Sequence, residues 1–274
     1  MPVIAMNQEM GSRGMYVAEG LAAQLGLATV RHEVISHVAE KMQVRKSTLQ
    51  RFLEGKAGML ERWGTDESSL ALYEAEEILQ LAAKGNVLIR GWGATNLLRP
   101  ISHVVCVRIG APFNLRVKWL MERLETDDEE FAREEIRQSD AAHIANMQSQ
   151  FGVTWGDPMV YDLVLNTERV SVETCVEQIK QLVQRPEFQE TAESRAQLAN
   201  LTLEYRIRSA LRSDPKTSDV DITIKVDNGK ITLLGVVLSD EEKRAAWEVA
   251  AQVADVKKVE NKLKIMKGSK IFPR

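Results

Sequence analysis

Short apolar runs recur along the first part of the chain at Pro2–Met6, Leu27–Val30, Val87–Arg90, Val104–Ile109 and Tyr161–Leu165. None alternates strictly with polar residues, as expected of strands covered on both faces by helices. Helical patterns lie between them. Ser68–Lys84 is rich in Leu, Ala and Glu and stops before Gly85; Pro112–Leu124 opens on a helix-starting proline and sets Leu115, Trp119 and Leu120 at helical spacing. The order predicts a three-layer α/β domain around a parallel sheet. Ligands of such folds bind at the carboxyl edge of the strands, which puts Met10–Gly14 and Gly91–Gly93 on one rim.

Residues 31–64 and 125–150 stand outside the sheet pattern. The first carries Arg31, Arg45, Lys46, Arg51, Lys56 and Arg62; the second is highly charged and helix-prone. Residues 186–200 are polar and read as a linker with some helix. Beyond it the period changes. A helix bearing Leu203, Ile207, Ala210 and Leu211 leads to a strictly alternating run, Val220–Val226, then an Asn228-Gly229 hairpin turn and a return strand, Ile231–Leu238. Ser239 and Glu242 form a capping box opening a helix to Ala254, and Val259, Leu263 and Ile265 alternate as a third strand. The result is a small αββαβ domain of the α+β class.

With 274 residues, 44% of them hydrophobic, the chain is long enough for two cores, and its net charge of −3 argues against a general nucleic-acid grip. Cys106 and Cys175 sit in apolar segments without metal-ligand spacing, which predicts reduced, buried thiols and no metal site. The N-terminus turns polar at Asn7, and no run reaches the roughly 18 apolar residues of a membrane span, so a cytoplasmic protein is expected.

The chemistry concentrates in Val3–Leu25, a strand, a Gly-Ser-Arg-Gly loop and a helix. That order aims backbone N–H groups and a positive helix end at one spot, which suits a phosphate. It is a poor Walker A sequence. With Gly14 in the place of the lysine, Gln8 and Arg13 stand where the pattern has glycine and Met15 where it has Ser or Thr.

Several segments together carry a resemblance. Ile4–Gly14, VLIRGWGATNLLR at 87–99, VVCVRIGAPFNLRVKWLMERL at 104–124 and above all FGVTWGDPMVYDLVLNT at 151–167 resemble the cytidylate-kinase-like family, relatives of the nucleoside monophosphate kinases with a P-loop kinase fold. The resemblance covers residues 1–185. It implies ATP and magnesium as cofactors if the protein is active, and a nucleotide or small phosphorylated partner. It further implies nucleotide-binding positions at Gly11, Ser12, Arg13, Gly14, Arg90, Gly91, Trp92, Gly93 and Asn166, an acceptor region within 31–64 and a mobile lid within 125–150. Residues 201–267, with Gly235 and the closing VENKL, resemble the BON domain, which implies protein or phospholipid contacts and leaves self-association open; 268–274 form a tail.

The departures from the family fall on charge-handling positions. Gln8 replaces an arginine, Arg13 a glycine and Trp92 the arginine of a Gly-Arg-Gly turn. His143 replaces a lid arginine, and Tyr16 stands where P-loop relatives place a magnesium-holding hydroxyl. Arg116 and Arg123 survive where the family has phosphate-facing arginines, and with Arg13 and His143 they are the catalytic candidates. Removing one charge stabiliser from such a site costs about 10²–10³ in rate. The expectation is therefore a nucleotide-binding regulator with a degraded phosphotransfer site, against the alternatives of an active cytidylate-like kinase and a ligand-free scaffold.

Overall fold

The computed structural model describes residues 1–30, 32–53, 66–91 and 93–266. By its internal contacts the chain divides into two compact units, Met1–Ser194 and Arg195–Arg274.

In the first unit the five apolar runs form β1 (Val3–Gln8), β2 (Ala28–Val30), β3 (Val87–Arg90), β4 (Val104–Gly110) and β5 (Leu163–Asn166). They make one parallel sheet in the order β2-β3-β1-β4-β5. β1 lies at the centre, with Ile4 opposite Leu88 on one side and Val105 on the other. Its first five residues are buried, which explains why the run never alternates. The helices are α1 (Gly14–Leu25), α2 (His32–Lys41), α3 (Lys46–Leu53), α4 (Glu67–Lys84), α5 (Ala94–Leu98), α6 (Phe113–Leu124), α7 (Glu129–Phe151) and α8 (Val172–Val183). α1 and α8 pack Val17, Leu21, Val176 and Ile179 onto Ile4, Met6, Val105 and Val107.

Local chemistry sets the ends. Asp66 caps α4 by accepting from the N–H groups of Ser68 and Ser69, and Gly85 closes it at φ 70°. Asp128 caps α7 in the same way, accepting from the Phe131 N–H at 2.9 Å. Asp162, before β5, accepts from the Cys106 N–H at 2.7 Å, so a side chain extends the ladder where β5 has not begun. Cys106 and Cys175 are free and buried, as the sequence led one to expect, and burial pushes the Cys106 thiol up to about 12. Of the basic positions in 31–64, Arg45, Lys46 and Arg51 are exposed around α3; Arg31, Lys56 and Arg62 lie outside the described residues.

The second unit is built on α9 (Ala192–Ser213), β6 (Ile222–Asp227), β7 (Lys230–Val237), α10 (Asp240–Gln252), β8 (Lys258–Asn261) and β9 (Lys264–Ile265). The Asn228-Gly229 turn has φ of 48° and 85°, the left-handed pair that a two-residue hairpin demands. Ser239 accepts from the Glu242 N–H at 3.1 Å, while Glu242 accepts from Leu238, one residue before the cap. The expected single third strand is two short ones. β8 pairs with Lys230–Leu233 and β9 with Val236–Val237, in one register, and the ladder breaks at Gly235 with φ 144°. A Cβ at Gly235 would lie 3.0 Å from the Asp221 carbonyl oxygen. Asp255 adopts φ 73°, a left-handed conformation that glycine takes without strain. Among the described residues no helix is long and apolar enough to cross a membrane.

Candidate functional site

The Glu9 N–H donates to the Ile109 carbonyl, and the chain then folds through Met10–Arg13 into α1. Gly11 sits at φ 79°, and a Cβ there would meet the Arg116 carbonyl oxygen at 2.5 Å, so no other residue fits. The Ser12 carbonyl accepts from the buried Thr167 hydroxyl at 2.8 Å, which ties the loop to the end of β5. Arg13 precedes α1 in the left-handed conformation, φ 62° and ψ 8°, with its guanidinium over the Trp119 ring at 4.1 Å from the centroid. At the start of α1 the Tyr16 N–H is taken by the Arg13 carbonyl at 3.0 Å, and the Gly14 and Met15 N–H groups precede any intrahelical acceptor, which makes this helix end attractive to an anion. A cavity of about 450 Å³ opens here, lined by Gln8–Glu9, Gly11–Tyr16, Trp119, Glu122–Arg123 and Val172–Glu173.

Beneath the loop the charges are paired. Glu9 accepts from Arg108 at 2.7 Å and from the Ala111 N–H at 3.0 Å, and lies 3.5 Å from the Arg116 Nε. Arg116 donates to both oxygens of Asp140 on α7, at 3.0 and 2.7 Å, and to the Met10 carbonyl at 3.4 Å. Arg108 and Arg116 are buried. Arg123 is exposed at the cavity mouth. Glu173, which also lines the cavity, has its carboxyl held below the usual range by its own backbone N–H and the Ser171 hydroxyl.

Residues 3–169 match the cytidylate kinase-like family, more than half of the chain. The chain belongs to the cytidylate kinase-like family. Residues 200–267 match the BON domain. Among solved structures, an uncharacterized protein from Eubacterium ventriosum is 21% identical with a TM-score of 0.54, over 68% of this chain and 100% of that one, which supports the fold. Shikimate kinase from Bacteroides thetaiotaomicron is 14% identical with a TM-score of 0.42, over 67% of this chain and 99% of that one. No curated protein matches.

Within this cytidylate kinase-like domain the structure brings together Gly11, Ser12, Arg13, Gly14 and Arg123 around the cavity. The other expected positions that are described lie outside the cavity lining. Arg90 donates to the Gln8 side chain at 3.2 Å, between β3 and the end of β1. Gly91 and Gly93 have φ of 121° and 59°, and a Cβ on Gly93 would strike the Phe151 ring at 2.5 Å. Trp92 lies outside the described residues. Asn166 is exposed and accepts from the Glu168 N–H at 2.9 Å, so it closes a turn after β5. His143 has Nδ1 at 2.6 Å from the Ser139 carbonyl and stacks on Trp155, ring centroids 4.9 Å apart. Trp155 is buried, donates to the Asn7 side chain at 3.1 Å and lies 4.2 Å from the Arg108 guanidinium. The Trp-Gly-Asp-Pro turn thereby fixes both the end of β1 and the middle of α7.

Sequence reasoning missed Glu9, Arg108, Trp119 and Thr167. A carboxylate inside a loop suited to phosphate was the available signal for Glu9, because it is tolerable there only with a cation beside it. Thr167 lay beside the expected Asn166, and nothing in the sequence pointed to its tie with the Ser12 carbonyl.

The residues do not fit a magnesium ion of the family's kind. The Met15 side chain has no oxygen, Tyr16 is exposed and carries its oxygen at the far end of a ring, and Glu9 has its oxygens engaged. Among the described residues no group of three or more His, Cys, Asp or Glu is placed to hold a metal.

Proposed function

We propose that the N-terminal unit binds a nucleotide or small phosphorylated ligand at the Gly11–Gly14 loop without transferring its phosphate efficiently. On this reading the chain is regulatory, and its BON domain meets a protein or lipid partner. The observation that carries this is the fate of Arg116: it is committed to Asp140, Glu9 and Met10. Phosphoryl transfer is mostly positioning and cancellation of charge on the phosphate oxygens, and needs mobile or metal-borne cations around the moving group. Here Arg13 and Arg123 are the cavity's guanidinium groups, with Glu122 and Glu173 on the same rim. That set is enough to retain an anion and poor for driving its transfer.

The test is calorimetric titration of the full-length chain with ATP, CMP and CTP, followed by a turnover assay on CMP. Saturable binding without turnover is expected. Ready phosphorylation of CMP would establish an active kinase, and no heat with any nucleotide, with an unchanged melting temperature, would establish a scaffold that uses no nucleotide.

A further inference from the structure

Resting on the reading that the loop cavity takes a phosphorylated ligand, we infer that it holds a single phosphomonoester without magnesium, the Arg13 guanidinium and Ser12 hydroxyl serving where a metal and its ligand would. Magnesium at a phosphate loop requires oxygen ligands in near-octahedral array, among them a small hydroxyl at the helix start. Neither Met15 nor Tyr16 supplies it. Tyr16 is 45% exposed, and its oxygen stands a ring's length beyond where a serine oxygen would lie. Both Glu9 oxygens are engaged, Oε1 by Arg108 and Oε2 by the Ala111 N–H.

The donors, in contrast, are unspent. Ser12 lines the cavity with its hydroxyl fully buried and without a hydrogen-bond partner among the described residues. Leaving a buried hydroxyl unmet is costly unless a ligand meets it. Arg13 is held by its stack on Trp119, which uses the face of the guanidinium and leaves the in-plane N–H groups to donate. Its left-handed backbone is a strained state for a side-chain-bearing residue, of the kind that gathers at ligand sites. α1 is 12 residues long, so its N-terminal N–H groups add to the same point.

Charge sets the class of ligand. Arg13 and Arg123 attract a phosphomonoester of about −1.5 to −2 at pH 7, with Glu122 and Glu173 on the same cavity wall offsetting part of their charge. A metal-free triphosphate carries more negative charge than they cancel, and Glu122 and Glu173 on the rim repel the excess.

The experiment is calorimetric titration of the full-length chain with CMP, in EDTA and again in excess magnesium, with ATP as comparison and inorganic phosphate as competitor. The expected result is a CMP affinity equal within about twofold in the two buffers, ATP weaker than CMP in EDTA, and competition by phosphate. Loss of one charge-assisted contact weakens binding about tenfold or more, so Arg13→Gly should do so, while Arg13→Lys retains part of the affinity. Binding that needs magnesium, or ATP with magnesium binding where CMP does not, overturns the inference and leaves the nucleotide reading standing. Equal CMP affinity in Arg13→Gly also overturns it, because the ligand would then sit elsewhere. No binding of either nucleotide overturns both.

Discussion

Arg116 on α6 and Asp140 on α7 form a two-point ion pair, with N···O distances of 3.0 and 2.7 Å. The arginine side chain is 7% exposed and the aspartate 22%, so solvent screens the pair weakly. Removing one partner of such a pair strands the other, at a cost of about 3–5 kcal/mol when burial is deep. Asp140→Ala leaves Arg116 its contact with Glu9, so a loss nearer ~2 kcal/mol is expected in urea unfolding. Arg116→Ala also strips Glu9 and the Met10 carbonyl, and should cost more. Equal losses in the two variants would show that Glu9 draws nothing from Arg116.

Gly11→Ala tests the loop without touching a charge. The added Cβ faces the Arg116 carbonyl oxygen at 2.5 Å in a backbone with φ 79°. Backbone strain of roughly 1–2 kcal/mol adds to the overlap, so a destabilisation of ~2 kcal/mol or more is expected in denaturant unfolding. A variant as stable as the parent would mean that the loop and α6 are free to separate.

Glu74 on α4 gives a pH signature. Burial raises its carboxyl from 4.5 to about 8. Below pH 4.5 both folded and unfolded chains carry it protonated, and it imposes no penalty. As pH rises from 4.5 to about 8 the unfolded chain ionises first, so stability falls through that window and the loss is complete above it. Glu74→Gln should remove this slope and be more stable than the parent at neutral pH. Melting temperatures of the two proteins that run parallel from pH 5 to 8 would exclude the effect.

What the sequence disclosed, and what it hid, follows from distance along the chain. The strands were legible because their burial on both faces writes itself into continuous apolar runs, and Gly85 and Ser239 mark helix ends by contacts within a few residues. The loop glycines were legible too. The pairing of Glu9 with Arg108 spans 99 positions, and nothing local points from one to the other. Trp119 reads as one more apolar position at helical spacing, yet it is half-buried beside the cavity and receives Arg13. In the second unit, the apolar alternation of Val259, Leu263 and Ile265 conceals the break into β8 and β9, because the interruption comes from Gly235 on the neighbouring strand.

A chain ended after Ser194 should keep its ligand. The cavity-lining residues, the Glu9–Arg108–Arg116 pairs and the Thr167 tie to Ser12 all lie within Met1–Ser194. Ser194 itself must stay, because its hydroxyl lies 2.7 Å from His103 Nδ1 in a buried contact and its N–H donates to Thr191. Removing residues 195–274 takes away α9 beyond Ser194, α10 and all four strands of the second sheet but no side chain of the site. CMP affinity within about threefold of the full-length value, or less than ~0.7 kcal/mol, is the expected calorimetric result. A folded truncated chain that had lost CMP binding would show that the second unit contributes to the site, and the two-unit account of ligand binding would fall.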